Sequence, residues 1–262
     1  MLSVTDALIA GERLTYVSYF GDTPFARHWT IYEGTSRVQE KPDPPLHRIV
    51  FLSETDTSLI GLGGPVMRIR AELICESNLF PRHYRVETRE SINDVLIDDQ
   101  IRIRLPDGTA HPVASRQMRC ILGENFGQMA LFLKLAQDEV SGGFSFSFFS
   151  FGAASILDYR ISNLDRPAPA DGARWFVSSF DEELLISPDG WLVEHIVPKE
   201  GVITRREDVP LPEWMETTIL EPPLRYKPPE NVHFYMKDVE VPGPVVRIGT
   251  SLTIPRGETT PS

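Results

Sequence analysis

Along most of the chain, apolar and polar positions alternate with a period of two. From Val66 to Cys75 the residues Met67, Ile69, Ala71 and Leu73 fall on one side, and Val66, Arg68, Arg70 and Glu72 on the other. That period predicts a strand with one face in a core and one in water. Leu14–Phe20 and His28–Tyr32 are rich in β-branched and aromatic residues and flank a Gly-Asp-Thr-Pro turn, which predicts an opening hairpin. Leu46–Leu52, Tyr84–Glu87, Val95–Ile97 and Ile101–Leu105 continue the series, the last before the turn Pro106-Asp107-Gly108-Thr109. Further strands are predicted at Gly143–Phe151, Ile156–Ile161, Arg174–Ser179 and Leu184–Ile186. The turn Ser187-Pro188-Asp189-Gly190 then leads into Trp191–Val197 and Val202–Arg205. In Gly143–Phe151, Phe144, Phe146 and Phe148 share one side while Phe149 and Phe151 take the other, which predicts a bulge or burial of both faces.

The period changes to 3.6 once. Over Asn125–Asp138, Phe126, Met129, Ala130, Leu133 and Ala136 form a helical stripe, with Asn125 as N-cap and Gly142 beyond the end. Many strands, short turns and one helix predict a mainly β fold: an antiparallel curved sheet or half-barrel, similar to the lipoprotein carriers, covering one amphipathic helix. This body is expected to span residues 1–206. A proline-rich linker follows over 207–230, because proline at that density fits neither sheet nor helix. The tail, 231–262, holds two more strand-like runs and reads as hairpin-like.

Composition adds limits. The 262 residues carry a formal net charge of −11, which disfavours nucleic acid and anionic membranes as partners. No apolar run is long enough to span a bilayer, and the start MLSVTDALIAGERL lacks a secretory pattern, so a cytoplasmic location is expected. Cys75 and Cys120 sit in strand-like runs and are expected to be buried reduced thiols.

Candidate chemistry is sparse. No G-x-S-x-G nucleophile elbow and no C-x-x-C is present, and the six histidines show no ligand spacing, so neither metal nor cofactor is expected. Gly61-Leu62-Gly63-Gly64-Pro65 has no helix after it and reads as a turn rather than a phosphate loop. The aromatic strands are the most suggestive feature, since a curved sheet lined with rings can hold an apolar molecule. The ligand-binding candidates are His28, Trp29, Tyr84, Phe146, Tyr159, Trp175 and His195, with Arg85 as a further polar residue on these runs. An ordinary core packed on the helix explains the same aromatics.

Two resemblances follow from longer stretches. LTYVSYFGDTPFARHWTIY, YRVETRESINDVLIDDQIRI and NFGQMALFLKLAQ with GGFSFSFFSFGAASILDYRI, in that order, resemble the DUF3108-like β-rich domains over Arg13 to about Arg206. The resemblance implies a curved antiparallel sheet around a helix. Those domains usually carry an export signal, which this start does not show. The tail DVEVPGPVVRIGTSLTIPRGETTPS is similar to the opening strands of α/β-hydrolases through Gly243-Pro244, Gly249-Thr250, Leu252-Thr253-Ile254-Pro255 and Gly257. It brings no catalytic residue with it.

The leading expectation is a non-catalytic accessory or hydrophobic-ligand-binding β domain, as the N-terminal part of a hydrolase-type protein. A stand-alone cyclase, isomerase or hydrolase with its site in an aromatic-lined cavity is the alternative, and an oligomerisation domain a third; whether the chain is an enzyme stays open. The partners that fit are a hydrophobic small molecule, a second copy of the chain or a contiguous hydrolase domain.

Overall fold

The computed structural model describes residues 3–35, 45–89, 92–97, 102–104, 110–112, 120–122, 126–137, 143–150, 155–169, 172–216, 234–242 and 247–255. They fall in two compact units, Met1–Glu221 and Pro222–Ser262.

The first unit is mainly β. Its strands are β1 (Arg13–Phe20), β2 (Thr23–Thr35), β3 (His47–Thr55), β4 (Met67–Cys75), β5 (Pro81–Glu87), β6 (Ile92–Ile97), β7 (Arg102–Arg104) and β8 (Ala110–Pro112). After β9 (Cys120–Leu122) come β10 (Phe144–Ser150), β11 (Ser155–Asn163), β12 (Arg174–Ser178), β13 (Glu183–Ile186), β14 (Leu192–Val197) and β15 (Val202–Arg206). All fifteen belong to one sheet, ordered β8 down to β1 and then β15 down to β9. The chain is thus a meander whose first and last strands pair, with its break between β8 and β9. The sheet is a half-barrel rather than a closed one. Every pairing is antiparallel except β9 with β10. The sheet curls enough to bring β9 beside β5. The β10–β11 ladder runs from Phe144 to Ser150 without a register shift.

The predicted helix is α2, Phe126–Leu135; Asn125 and Asp138–Gly142 lie outside the described residues. Its burial exceeds the predicted stripe, because Leu131, Phe132 and Leu135 are as enclosed as Ala130, Leu133 and Ala136. A helix apolar all round belongs inside a protein. It lies in the curl of the sheet and touches β2 and β14, on either side of the β1–β15 seam. The core formed there joins Tyr16, Tyr32, Ile49, Phe51, Leu73 and Tyr84 to Phe146, Tyr159, Phe176 and Leu192. A short helix that the periodicity did not reveal, α1 (Val4–Ala7), adds Val4 to that core. It is held by a capping box between Ser3 and Asp6, the local signal that could have found it.

A smaller cluster covers the opposite, convex face. Trp29, Val50 and Leu52 alternate with core residues on β2 and β3 and pack against Trp214. Trp214 belongs to a 3-10 turn, Glu213–Glu216, in the first part of the proline-rich stretch. That stretch wraps the sheet: Val209 donates its backbone N–H to Thr15 Oγ1 at 3.2 Å, and Trp29 Nε1 donates to the Pro210 carbonyl at 3.0 Å. Proline suits such a strap, since it needs no ladder hydrogen bonds of its own. In the second unit, β16 (Phe234–Pro242) and β17 (Arg247–Pro255) form an antiparallel hairpin in which Phe234 faces Pro255 and Pro242 faces Arg247.

Candidate functional site

The concave face changes character along its strands. On β4 the inward positions run Met67, Ile69, Ala71, Leu73, Cys75; the last three are buried, while Met67 is 51% and Ile69 37% exposed. On β1 they run Leu14, Tyr16, Ser18, and the strand ends at Phe20, 47% exposed. The helix fills one end of the curl. The other end, where the connections Gly21–Asp22, Asp56–Val66, Ser179–Glu182 and Pro198–Gly201 lie, keeps apolar side chains open to solvent. Leu59, Leu62 and Phe180 are exposed there as well.

A row of polar side chains separates the two ends. Ser53 on β3 hydrogen-bonds His28 Nδ1 at 3.2 Å, and His28 Nε2 bonds Ser18 Oγ at 3.1 Å. Ser18 Oγ in turn bonds Thr204 Oγ1 on β15 at 2.7 Å. Thr204 faces His195 across the β14–β15 ladder. His195 Nε2 lies 3.5 Å from Glu182 Oε2, and Glu182 accepts from the Tyr159 hydroxyl at 2.5 Å and from Ser178 Oγ at 3.2 Å. The row draws on six strands, β3, β2, β1, β15, β14 and β12, because the register puts Ser53, His28, Ser18, Thr204, His195 and Ser178 on the same face.

Phe126, the first residue of α2, closes the row from the core side. Its ring lies 5.5 Å from His28, 5.5 Å from His195 and 5.0 Å from Tyr16. This enclosure controls the charges. Burial lowers the His28 pKa to about 4, so the ring is neutral at physiological pH, one nitrogen donating and the other accepting. Burial pushes the Glu182 carboxyl up, but His195, Tyr159 and Ser178 outweigh it and hold the group below its ordinary value. The Tyr159 hydroxyl is driven upward by burial and by the neighbouring carboxylate. His195 is 8% exposed, and its Nε2 is buried without a hydrogen bond: the Glu182 oxygen is near but not aligned. A buried polar atom left this way costs about 1–3 kcal/mol.

The sequence candidates divide between these surroundings. His28, His195 and Tyr159 come together in the row. Phe146 stacks behind it, 4.9 Å from Tyr159 and 4.8 Å from Phe132, and Tyr84 is buried in the same core on β5. Trp29 faces away, under the strap. Trp175 also faces away, alternating with core residue Phe176; the Arg166 guanidinium lies 4.1 Å over its ring, and its Nε1 is buried without a partner. It lines a shallow depression of about 420 Å³ on the convex side. Arg85 is exposed. Sequence reasoning missed Ser18, Ser53, Thr204, Glu182 and Phe126. The available signal was a serine interrupting an apolar alternation, as in Leu14, Tyr16, Ser18 and Ile49, Phe51, Ser53. Among the described residues no cluster of His, Cys, Asp and Glu could hold a metal, and no helix is long and apolar enough to cross a membrane.

No family model matches the chain, and no curated protein matches it. Several solved structures are similar to it. A β-barrel-like protein of the domain of unknown function DUF1849 from Brucella abortus aligns with a TM-score of 0.42 and 10% identity, over 75% of this chain and 94% of that one. A DUF1089 family protein from Pseudomonas aeruginosa aligns with a TM-score of 0.37 and 9% identity, over 64% and 89%.

Proposed function

We propose that this chain is a ligand-binding accessory β domain that takes an amphiphilic small molecule at the open end of its half-barrel. The carrying observation is the order of surfaces on the concave face: a packed core, then the polar row of Ser18, His28, Thr204, His195 and Glu182, then exposed Phe20, Met67 and Ile69. An apolar chain would lie on the rim side, and its polar end would meet the row at Glu182, whose side chain is 22% exposed. The aromatics deeper in are occupied by α2, so the ligand does not replace the core.

The resemblance of the body to DUF3108-like domains fits a carrier of this kind. The hydrolase-like pattern of the tail, in the hairpin β16–β17, supports service to a hydrolase-type catalytic domain. The test is a titration of the purified chain with Nile red, a neutral dye that fluoresces in apolar sites, against the variant Ile69→Glu. Saturable binding weakened at least tenfold by that rim charge supports the reading. A dye that fails to bind, or binds both proteins equally, refutes it.

A further inference from the structure

The polar row also constrains the chemistry of the ligand's head, and this deduction rests on the reading above. Glu182 is the one carboxylate of the row and stays ionised. Its compensation comes from His195, 3.5 Å away, and from hydroxyl donors; no arginine or lysine among the described residues acts on it. The basic groups nearby are engaged elsewhere. Lys199 pairs with Asp181 at 2.6 Å, and Arg205 with Glu194 at 2.7 Å. Arg206, on the inner face opposite Tyr16, lies over the Trp191 ring, 5.3 Å from its centroid. His28 is neutral and both its nitrogens are used by serines. The row therefore offers hydroxyls and one negative charge, in a partly buried place where repulsion is less screened than in open water.

We infer that the half-barrel takes amphiphiles with a hydrogen-bonding head that carries no negative charge, such as an alcohol, and rejects those with a carboxylate or phosphate head. A second anion beside Glu182 would meet like charge at short range, with no arginine or lysine among the described residues to receive it. An alcohol can donate to the Glu182 carboxylate, whose side chain keeps 22% of its surface exposed, without bringing a like charge.

The experiment displaces Nile red from the full chain at about pH 7.5 with 1-octanol, octanoate and octylamine, three ligands of one chain length. Octanol is expected to bind at least tenfold more tightly than octanoate, with octylamine also above octanoate. In Glu182→Gln, checked for folding by circular dichroism, the octanol preference should fall below about threefold. Octanoate binding as well as octanol to the wild-type chain overturns the inference while leaving an amphiphile site standing. A preference unchanged in Glu182→Gln overturns it too, and the wild-type series alone decides if that variant does not fold. Failure of all three ligands to displace the dye removes the site itself and the inference with it.

Discussion

Acid should destabilise this protein through His28 as the pH falls from about 6.5 toward about 4. In the folded chain the His28 pKa is lowered to about 4, against 6.5 for an ordinary histidine, because packing against Phe126 and the sheet desolvates its ring. A depressed folded value means that the unfolded chain takes up the proton first. The stability is therefore fully present above about pH 6.5 and is lost as the pH falls toward about 4. At about pH 5 nearly every unfolded molecule carries the proton and about one folded molecule in ten does. Linkage then gives a loss of about 2 kcal/mol between about pH 7.5 and about pH 5. His47, also lowered by burial, adds a contribution of the same sign. Glu182 is held below its ordinary value, so its contribution is lost only at lower pH. The assay is urea unfolding followed by tryptophan fluorescence at the two pH values, for wild type and His28→Gln. Because His47 is common to both, the variant should lose about 2 kcal/mol less than wild type on acidification. Equal losses in the two proteins, or a wild type that gains stability at pH 5, would refute the account of His28 as a buried neutral base.

Three further outcomes follow from single contacts. Phe126→Ala should cost about 3 kcal/mol of stability, and it should move the His28 midpoint in an NMR titration upward toward 6.5, since the ring that desolvates it is gone. Gly190→Ala should lower stability by about 1–2 kcal/mol, seen as a lower urea midpoint, because Gly190 holds φ +86 and a new Cβ would meet the Gln137 side chain. In a Cys120→Ser background, Cys75 should not react with an aromatic disulfide reagent until the protein is unfolded, because it is fully buried and burial pushes its thiol pKa up.

The fold was legible because period-two alternation is a local property. Met67, Ile69, Ala71, Leu73 and Cys75 all take the inward side of β4, as the pattern predicts. The pattern could not say which inward positions are covered. Met67 and Leu73 look alike in sequence, yet one is 51% and the other 2% exposed, because α2 reaches only part of the curl. For the same reason Trp29 and Trp175 looked like cavity residues: an aromatic on a strand signals burial, not the side on which it is buried. The polar row was harder still. Ser18 and Thr204 are 186 residues apart, and their bond depends on β15 returning to pair with β1. That closing pair is a property of the whole meander, absent from any window of sequence. His28 and His195 were noticed individually as polar residues in aromatic runs; what joins them is Phe126, which sequence periodicity assigned only to a packing stripe.

The order of surfaces on the concave face is also difficult to explain by stability alone. A sheet selected only to fold would grade from apolar core to polar rim, with each polar group in water. Here Ser18, Thr204, His195 and Ser178 of the polar row are buried, and the more apolar Met67, Ile69 and Phe20 lie outside it, exposed. Rules of local consistency are broken most often where function is served. Thr204→Val separates the two accounts. The change conserves volume, Ser18 keeps its bond to His28, and losing one neutral hydrogen bond costs about 1 kcal/mol, partly offset by apolar gain. If the row exists to hold the sheet together, this substitution should lower the urea midpoint and leave Nile red binding as it was. If the row receives a ligand head, the same small loss of stability should come with a severalfold fall in octanol affinity, since one of the row's hydroxyls is gone.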